Sequence, residues 1–290
     1  MLLSVPNYSE GRDPARIAGL RAALAGRLRV LDRHSDRQHH RTVFTVAGEP
    51  DQLTRALPDS ADLAAKSIDM WRHRGLHPCI GALDVCPLVW LRPEERRQAQ
   101  DVAYAIADEI GGLGIPVFFY GEMATTDERQ ERAYFRNGGI EALERRMTAG
   151  ELMSDRGPNQ PHSRAGATLI TARPPIAAFN IELDTDKVEV ATEIAAELRE
   201  SGGGLPGVRA IGLPREGTRV QVSTNVHDPV SVPLVEVVER VRQLAASHQT
   251  KPLEAEIVGL VPAAALIGYP ADVPIRDRDD ARQTIEGRLG

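Results

Sequence analysis

The segment HRGLHPCIGALDVCP places His73 and His77 four residues apart with Cys79 just beyond, a grouping that could bind a metal or move a proton. Histidines at i and i+4 on one helix face are a zinc-ligand spacing. Gly75 and Pro78 argue against a helix here, since proline ends one, and no second pair stands at ligand spacing. No metal is expected. Metal-dependent hydrolysis through His34, His39, His40, His73 or His77 is kept only as an alternative that predicts bound zinc.

His77 is the stronger candidate for proton transfer. Its place before Pro78 drives its backbone to extended conformations, and the apolar stretch 82–91 that follows reads as a buried strand. The imidazole therefore stands on a loop braced by core. An ordinary histidine pKa near ~6.5 suits a group that takes and returns a proton near neutrality. Taken by itself, such a histidine is still better read as structural or as a surface residue.

Other chemistries find little support. Gly202, Gly204 and Gly207 spell G-x-G-x-x-G, but they follow a helix and precede a strand, the reverse of a dinucleotide-binding turn. Phosphate-loop, nucleophile-elbow and HExxH motifs are missing. With 35 basic against 41 acidic residues, a formal net charge of −6, there is no phosphate-backbone footprint, and aromatics at 4% leave few stacking platforms, so nucleic acid is not an expected partner.

Cys79 and Cys86 are too few for a disulfide framework and are expected to be buried thiols in a reducing compartment. The start, MLLSVPNYSEGRD, has no basic region of a signal peptide. The longest apolar run, 257–269, is broken by Pro262 and falls short of the ~20 residues that span a bilayer. A cytoplasmic protein with no membrane partner is expected.

The elements that must hold the His77 loop show as alternating period-2 and period-3.6 apolar patterns. In the first half the expected order is strand 2–6, a helix capped by Asp13 with Pro14 first, strands 29–32 and 42–47, a helical region from Pro50 to Trp71 broken near Pro58, and strand 82–91. Helix 93–110 and strand 116–120 extend it. The second half repeats the order: strand 176–183, helix 186–200, strands 208–213 and 219–224, helix 233–247 and strand 253–261. Each half is thus β-α-β-β-α-β. The expected fold is α/β (α+β), two similar ferredoxin-like subdomains, 1–175 and 176–290, each a sheet with helices on one face and the ligand site between them.

Several segments in order resemble the glutamate formiminotransferase family over nearly the whole chain. They are VPNYSEG, HRTVFTVAGEP, IDMWRHRGLHPCIGALDVCP, PVFFYGE, DRGPNQPHSRAGATLITAR, GGGLPGVRAIGL, VQVSTN and EIVGLVPAAAL. The HP-x-x-GALDVCP and GP…AGAT blocks are the most specific, because neither helix nor strand propensity requires them.

The resemblance implies transfer of a formimino group from N-formimino-L-glutamate to N5 of tetrahydrofolate, the co-substrate. It makes His77 the catalytic general base and acid. It places folate on Gly157, Pro158, Asn159, Gln160, Pro161, His162, Ser163, Arg164, Ala165 and Gly166, with Arg41 and Arg164 as donors to carboxylates. The expected form is stand-alone, without a cyclodeaminase domain, with small molecules as partners and a homodimer as an open assembly. His40 where Asn is common, the basic run 33–40, Arg156 and Arg164 depart from the family pattern. They define the alternative, a paralogue that binds folate or another anionic small molecule without transferring a group.

Overall fold

The computed structural model describes residues 1–215 and 219–290, which divide into two compact units, Met1–Pro174 and Pro175–Gly290. Unit 1 runs β1 (Leu2–Ser4), β2 (Asn7–Tyr8), α1 (Pro14–Ala25), β3 (Arg29–Asp36), β4 (Arg41–Gly48), α2 (Pro50–Ser67), β5 (Leu83–Val89), α3 (Arg96–Gly112), β6 (Val117–Phe119), α4 (Arg132–Arg136), α5 (Gly139–Thr148) and β7 (Thr168–Arg173). The short strands β1 and β2 act as one, both pairing antiparallel with β4 and with β5. The sheet therefore runs β3, β4, β1 with β2, β5, β7, β6, and its last three members are parallel.

Local chemistry explains the helix starts. Asp13 accepts from the backbone of Ala15 at 2.9 Å and Arg16 at 3.2 Å, with Pro14 opening α1. The backbone N–H of Glu49 donates to the side chain of Gln52 at 2.9 Å and fixes the start of α2. The expected break near Pro58 does not occur: α2 is continuous from Pro50 to Ser67 and stops before Trp71. A proline inside a helix costs about 3 kcal/mol. Burying Leu53 and Leu57 offsets that at roughly 1.5–3 kcal/mol each, with Ala56, Ala61 and Ala64 adding to it.

Strand β5 is buried along its whole length rather than alternating. Cys86, Leu88, Val117, Phe119, Ile170 and Ala172 join the core made with α1, α2 and α3. The residues pointing the other way, Val85, Phe118, Tyr120 and Leu169, form a second cluster with Phe135, Leu143 and Met147 from α4 and α5. Covered on both faces, parallel strands read as continuous apolar runs. Strand β7 has no counterpart among the expected elements, yet it sits between β5 and β6.

Unit 2 runs β8 (Ala177–Leu183), α6 (Val188–Leu198), β9 (Val208–Pro214), β10 (Val220–Val226), α7 (Leu234–Ser247), β11 (Pro252–Ile257), α8 (Asp280–Gln283) and α9 (Ile285–Leu289). Its antiparallel sheet has the order β11, β8, β10, β9, the ferredoxin-like arrangement also seen in β5, β1 with β2, β4 and β3 of unit 1. Phe179, Ile181, Val220 and Val222 pack against Ile194, Leu198, Val238 and Val241 of α6 and α7. Alternate residues include Glu182, which pairs with Arg215 at 3.3 Å and Arg276 at 3.4 Å. Among the described residues no helix is long and apolar enough to cross a membrane.

Phe179 is fully buried in unit 2. Phe179→Ala should therefore lower stability by about 3–5 kcal/mol, read as a shift of the urea unfolding midpoint. An unmoved midpoint would contradict its place in the core.

Candidate active site

Residues 68–82 form the irregular loop between α2 and β5, and His77 stands on it. Backbone hydrogen bonds fasten this loop on two sides. Leu76 N–H donates to the Gln38 carbonyl at 3.1 Å, tying the loop to the β3–β4 connection. Met70 N–H donates to Arg164 and Ala82 N–H to Ala165, both at 2.8 Å, and Ala167 N–H donates to Ile80 at 2.9 Å. Gly81 and Gly166 cross there as a bridge. A Cβ on Gly166 would stand 2.0 Å from the Ile80 carbonyl oxygen, and one on Gly81 would stand 1.8 Å from that of Ala167. The GALD and AGAT blocks are thus two halves of one contact that only glycines allow.

A cavity of about 10 Å³, close to the room of a single water, lies within unit 1 and is lined by Asn7, Tyr8, Ser9, His39, His40, Arg41, His77, Cys79 and Asp84. The His77 ring meets His39 edge-on at 6.1 Å between centroids. His39 is placed by Asp36, whose carboxylate accepts its backbone N–H at 2.8 Å and lies 3.5 Å from its Nδ1. Burial holds the His77 pKa well below the usual 6.5, reinforced by the charges of Arg41, Arg136 and Arg132 and by His39. The imidazole is neutral at physiological pH, with a lone pair to offer.

Arg41 opens β4, and its Nε is buried without a hydrogen-bond partner. Burial, helped by Arg136 and Arg132, pushes its pKa down to about 10, which still leaves it charged. Asp84, in β5, accepts from the Ile80 N–H at 2.7 Å and forms an ion pair with Arg136. Arg132 and Arg136 stand one turn apart on α4 and so project from the same side.

The remaining histidines are structural neighbours. His40 adopts φ 53°, a region that histidine and asparagine tolerate better than most residues. Its Nδ1 accepts from the Gly11 N–H at 3.0 Å, and its ring stacks on His73 at 4.4 Å. Burial, with His40 beside it, pushes the His73 pKa down to about 4. His73 and His77 lie outside any helix, and among the described residues no three His, Cys, Asp or Glu side chains are placed to hold a metal ion. Burial, with Asp84 nearby, pushes the Cys79 thiol up to about 12, and burial does the same for Cys86. Both are free thiols and stay protonated.

The segment expected to hold folate divides in two. At its far end Gly157 (φ 76°) packs against Gly111 and Ile115, Pro158 is half-buried, Asn159 accepts from Ser154 N–H at 3.0 Å and Oγ at 2.8 Å, and Gln160 is exposed. At its near end Pro161 is half-buried, and His162 Nδ1 accepts from the N–H groups of Arg164 at 3.2 Å and Ala165 at 3.0 Å. Ser163 and Arg164 are exposed there, while Ala165 and Gly166 lie against the His77 loop. Arg41 is brought beside His77, whereas the Arg164 side chain is open to solvent.

Sequence reasoning missed Asp84, Arg132 and Arg136. The spacing in RAYFR was the available signal, since it sets two cations on one helix face.

The two units correspond to the two domains of a transferase family. Residues 1–173 match the family described as Formiminotransferase domain, N-terminal subdomain, and residues 178–276 match Formiminotransferase domain. The chain belongs to the formiminotransferase family, which uses tetrahydrofolate as co-substrate. It is 35% identical to a glutamate formimidoyltransferase of Streptococcus pyogenes serotype M1, covering 98% of this chain and 97% of that protein. It is 36% identical to one from Thermoplasma acidophilum, covering 91% and 88%. Against the formimidoyltransferase-cyclodeaminase of Sus scrofa it is 38% identical over 92% of this chain and 51% of that protein.

His73 and His77 both have folded pKa values below 6.5, so the unfolded chain binds those protons first. Stability should fall as pH drops below about 6.5, with the His73 share lost by about 4. Glu10 and Asp36, whose carboxyls are held low, add their loss only below the ordinary carboxylate range. His73→Gln should flatten the fall of the urea midpoint between pH 6.5 and 4.5, roughly the window between the two histidine states. An unchanged slope would rule out His73 as its source.

Proposed function

We propose that this chain transfers the formimino group of N-formimino-L-glutamate to N5 of tetrahydrofolate, giving 5-formimidoyltetrahydrofolate and L-glutamate. His77 moves the protons and residues 157–166 hold folate. The observation that carries this reading is a neutral imidazole, beside three guanidinium groups, on a loop fastened to residues 164–167. The names of the relatives support the reaction.

N5 attacks the amidine carbon and a tetrahedral centre forms. As the N5–C bond forms, the N5 proton passes to the imidazole of His77. The C–N bond to glutamate then breaks, and the same proton goes to the departing nitrogen. A protonated His77 beside guanidinium groups is a strong acid, which favours the second transfer. The cavity beside His77 has room for about one water molecule, so the pterin ring meets His77 from outside it, along the exposed residues Ser163 and Arg164.

The departures from the family pattern leave this arrangement intact. His40 supports Gly11, and the Arg164 side chain is exposed. Arg156 pairs with Asp108 and lies 5.5 Å from the Phe119 ring centroid, beside α3 and β6.

His77→Asn should cut the rate of formimino transfer by roughly 10²–10⁴ while circular dichroism and tetrahydrofolate binding stay unchanged. Formation of formimino-folate from N-formimino-L-glutamate is the readout. Turnover equal to wild type in the variant would remove His77 from the chemistry, and folate binding without turnover in the wild type would instead mark a non-catalytic paralogue.

A further inference from the structure

Three half-buried arginines near His77, namely Arg41, Arg132 and Arg136, share one ion-paired carboxylate. Asp84 is ion-paired to Arg136, whose side chain is 9% exposed, while Arg41 and Arg132 form no ion pair among the described residues. Arg41 Nε and Arg136 Nε are both buried and lack any hydrogen-bond partner. Arg132 is held over the ring of Tyr120, 5.9 Å from its centroid, a contact that fixes a guanidinium without cancelling its charge. Other carboxylates stand nearby, Asp36 toward Arg41 and Glu131 toward Arg132, but each of the other two guanidinium groups acts more strongly on Arg41 than Asp36 or Asp84 does. Asp36 is also engaged with the N–H groups of Gln38 and His39 at 2.8 Å.

Buried donors without acceptors are costly, and uncompensated buried cations more so. Such a cluster is stable in isolation only at the expense of the fold, and an anion that accepts the free N–H groups removes the penalty. Arg41, His77 and Asp84, the partner of Arg136, line one cavity, so an anion at its mouth would lie beside the imidazole and the Arg41 guanidinium. Planar guanidinium groups match a carboxylate better than any other common anion of an amino-acid donor.

We propose that Arg41, Arg132 and Arg136 form the seat for the carboxylate groups of the donor, making Arg132 and Arg136 specificity-determining residues that select a dicarboxylic amino-acid donor. This deepens the reading of the preceding subsection and rests on it for the identity of the donor. Asp84 pairs with Arg136 alone, which leaves the guanidinium groups of Arg41 and Arg132 for the carboxylates of the ligand.

The test uses the full chain, with Arg132→Gln as the principal variant because Arg132 has no ion pair to lose, and Arg132→Lys as the conservative one. Calorimetric titration with L-glutamate and with glutarate measures the seat independently of turnover. Arg132→Gln should weaken both by at least about tenfold, as expected for loss of a charged hydrogen bond. Arg132→Lys should recover part of the affinity, L-glutamine should bind more weakly than L-glutamate, and tetrahydrofolate affinity should stay within about twofold of wild type.

In steady-state assays the same variant should raise the KM for N-formimino-L-glutamate without a matching rise in that for tetrahydrofolate. Unchanged L-glutamate and glutarate affinity in Arg132→Gln would overturn the seat even if transfer proceeds. Weakening of tetrahydrofolate by the same factor would also overturn it, as a general structural effect. Glutarate binding that depends on Arg132 in a protein with no transfer activity would leave the seat standing and sink the reaction.

Discussion

Asp84 is the carboxylate on which the arrangement around His77 turns. It accepts the Ile80 N–H and so closes the end of the His77 loop, and its other oxygen holds Arg136 on α4. One side chain thereby joins β5, the loop before it and a helix 52 residues farther along the chain. Removing it would leave Arg136 buried with no counter-charge and the Ile80 N–H with no acceptor. Losses of that kind cost several kcal/mol because the remaining partner stays buried.

The two units share a strand order, yet they use it differently. In unit 2 the sheet face away from α6 and α7 carries Arg215, Arg219 and Arg276 against Glu182, Glu254 and Glu256, as many acids as bases. Such a network pairs its own charges. In unit 1 the sheet is lengthened by β7 and β6, and α4 and α5 cover the face that unit 2 leaves polar. The charged residues near His77 come from β4, β5 and α4, so the added helix supplies two of the three guanidinium groups. The buried charge around His77 thus gathers where unit 1 departs from the shared pattern.

How far this was legible in the sequence depended on the range of the forces involved. The cap at Asp13, the start at Pro50 and the helices α1 and α7 are local and could be read directly. Pro58 misleads because the burial of Leu53 and Leu57 beside it is a tertiary effect. Strand β7 escapes notice because its neighbours are parallel strands far away in the chain, and Pro174 and Pro175 just after it read as a stop. His77 gained meaning only from the blocks around it, since an isolated His-Pro says little. Arg132 and Arg136 showed a helical spacing, but their lack of counter-charge depends on Arg41 and Asp84, which are decades of residues away in sequence.

The cluster and the base are one electrostatic unit. Unit charges a few ångströms apart interact by several kcal/mol at the effective dielectric of a protein site, about 4 kcal/mol at 4 Å and a dielectric of 20. The guanidinium groups that depress the His77 pKa include Arg41 and Arg136, whose Nε atoms lack acceptors, so an anion bound there would also relieve the imidazole. On the proposed reading, an anion in the seat would shrink the penalty on imidazolium, and the ring could then hold a proton long enough to pass it on. An anion at Arg41, Arg132 and Arg136 would act on His77 through the same field, so a change at Arg132 would alter both at once.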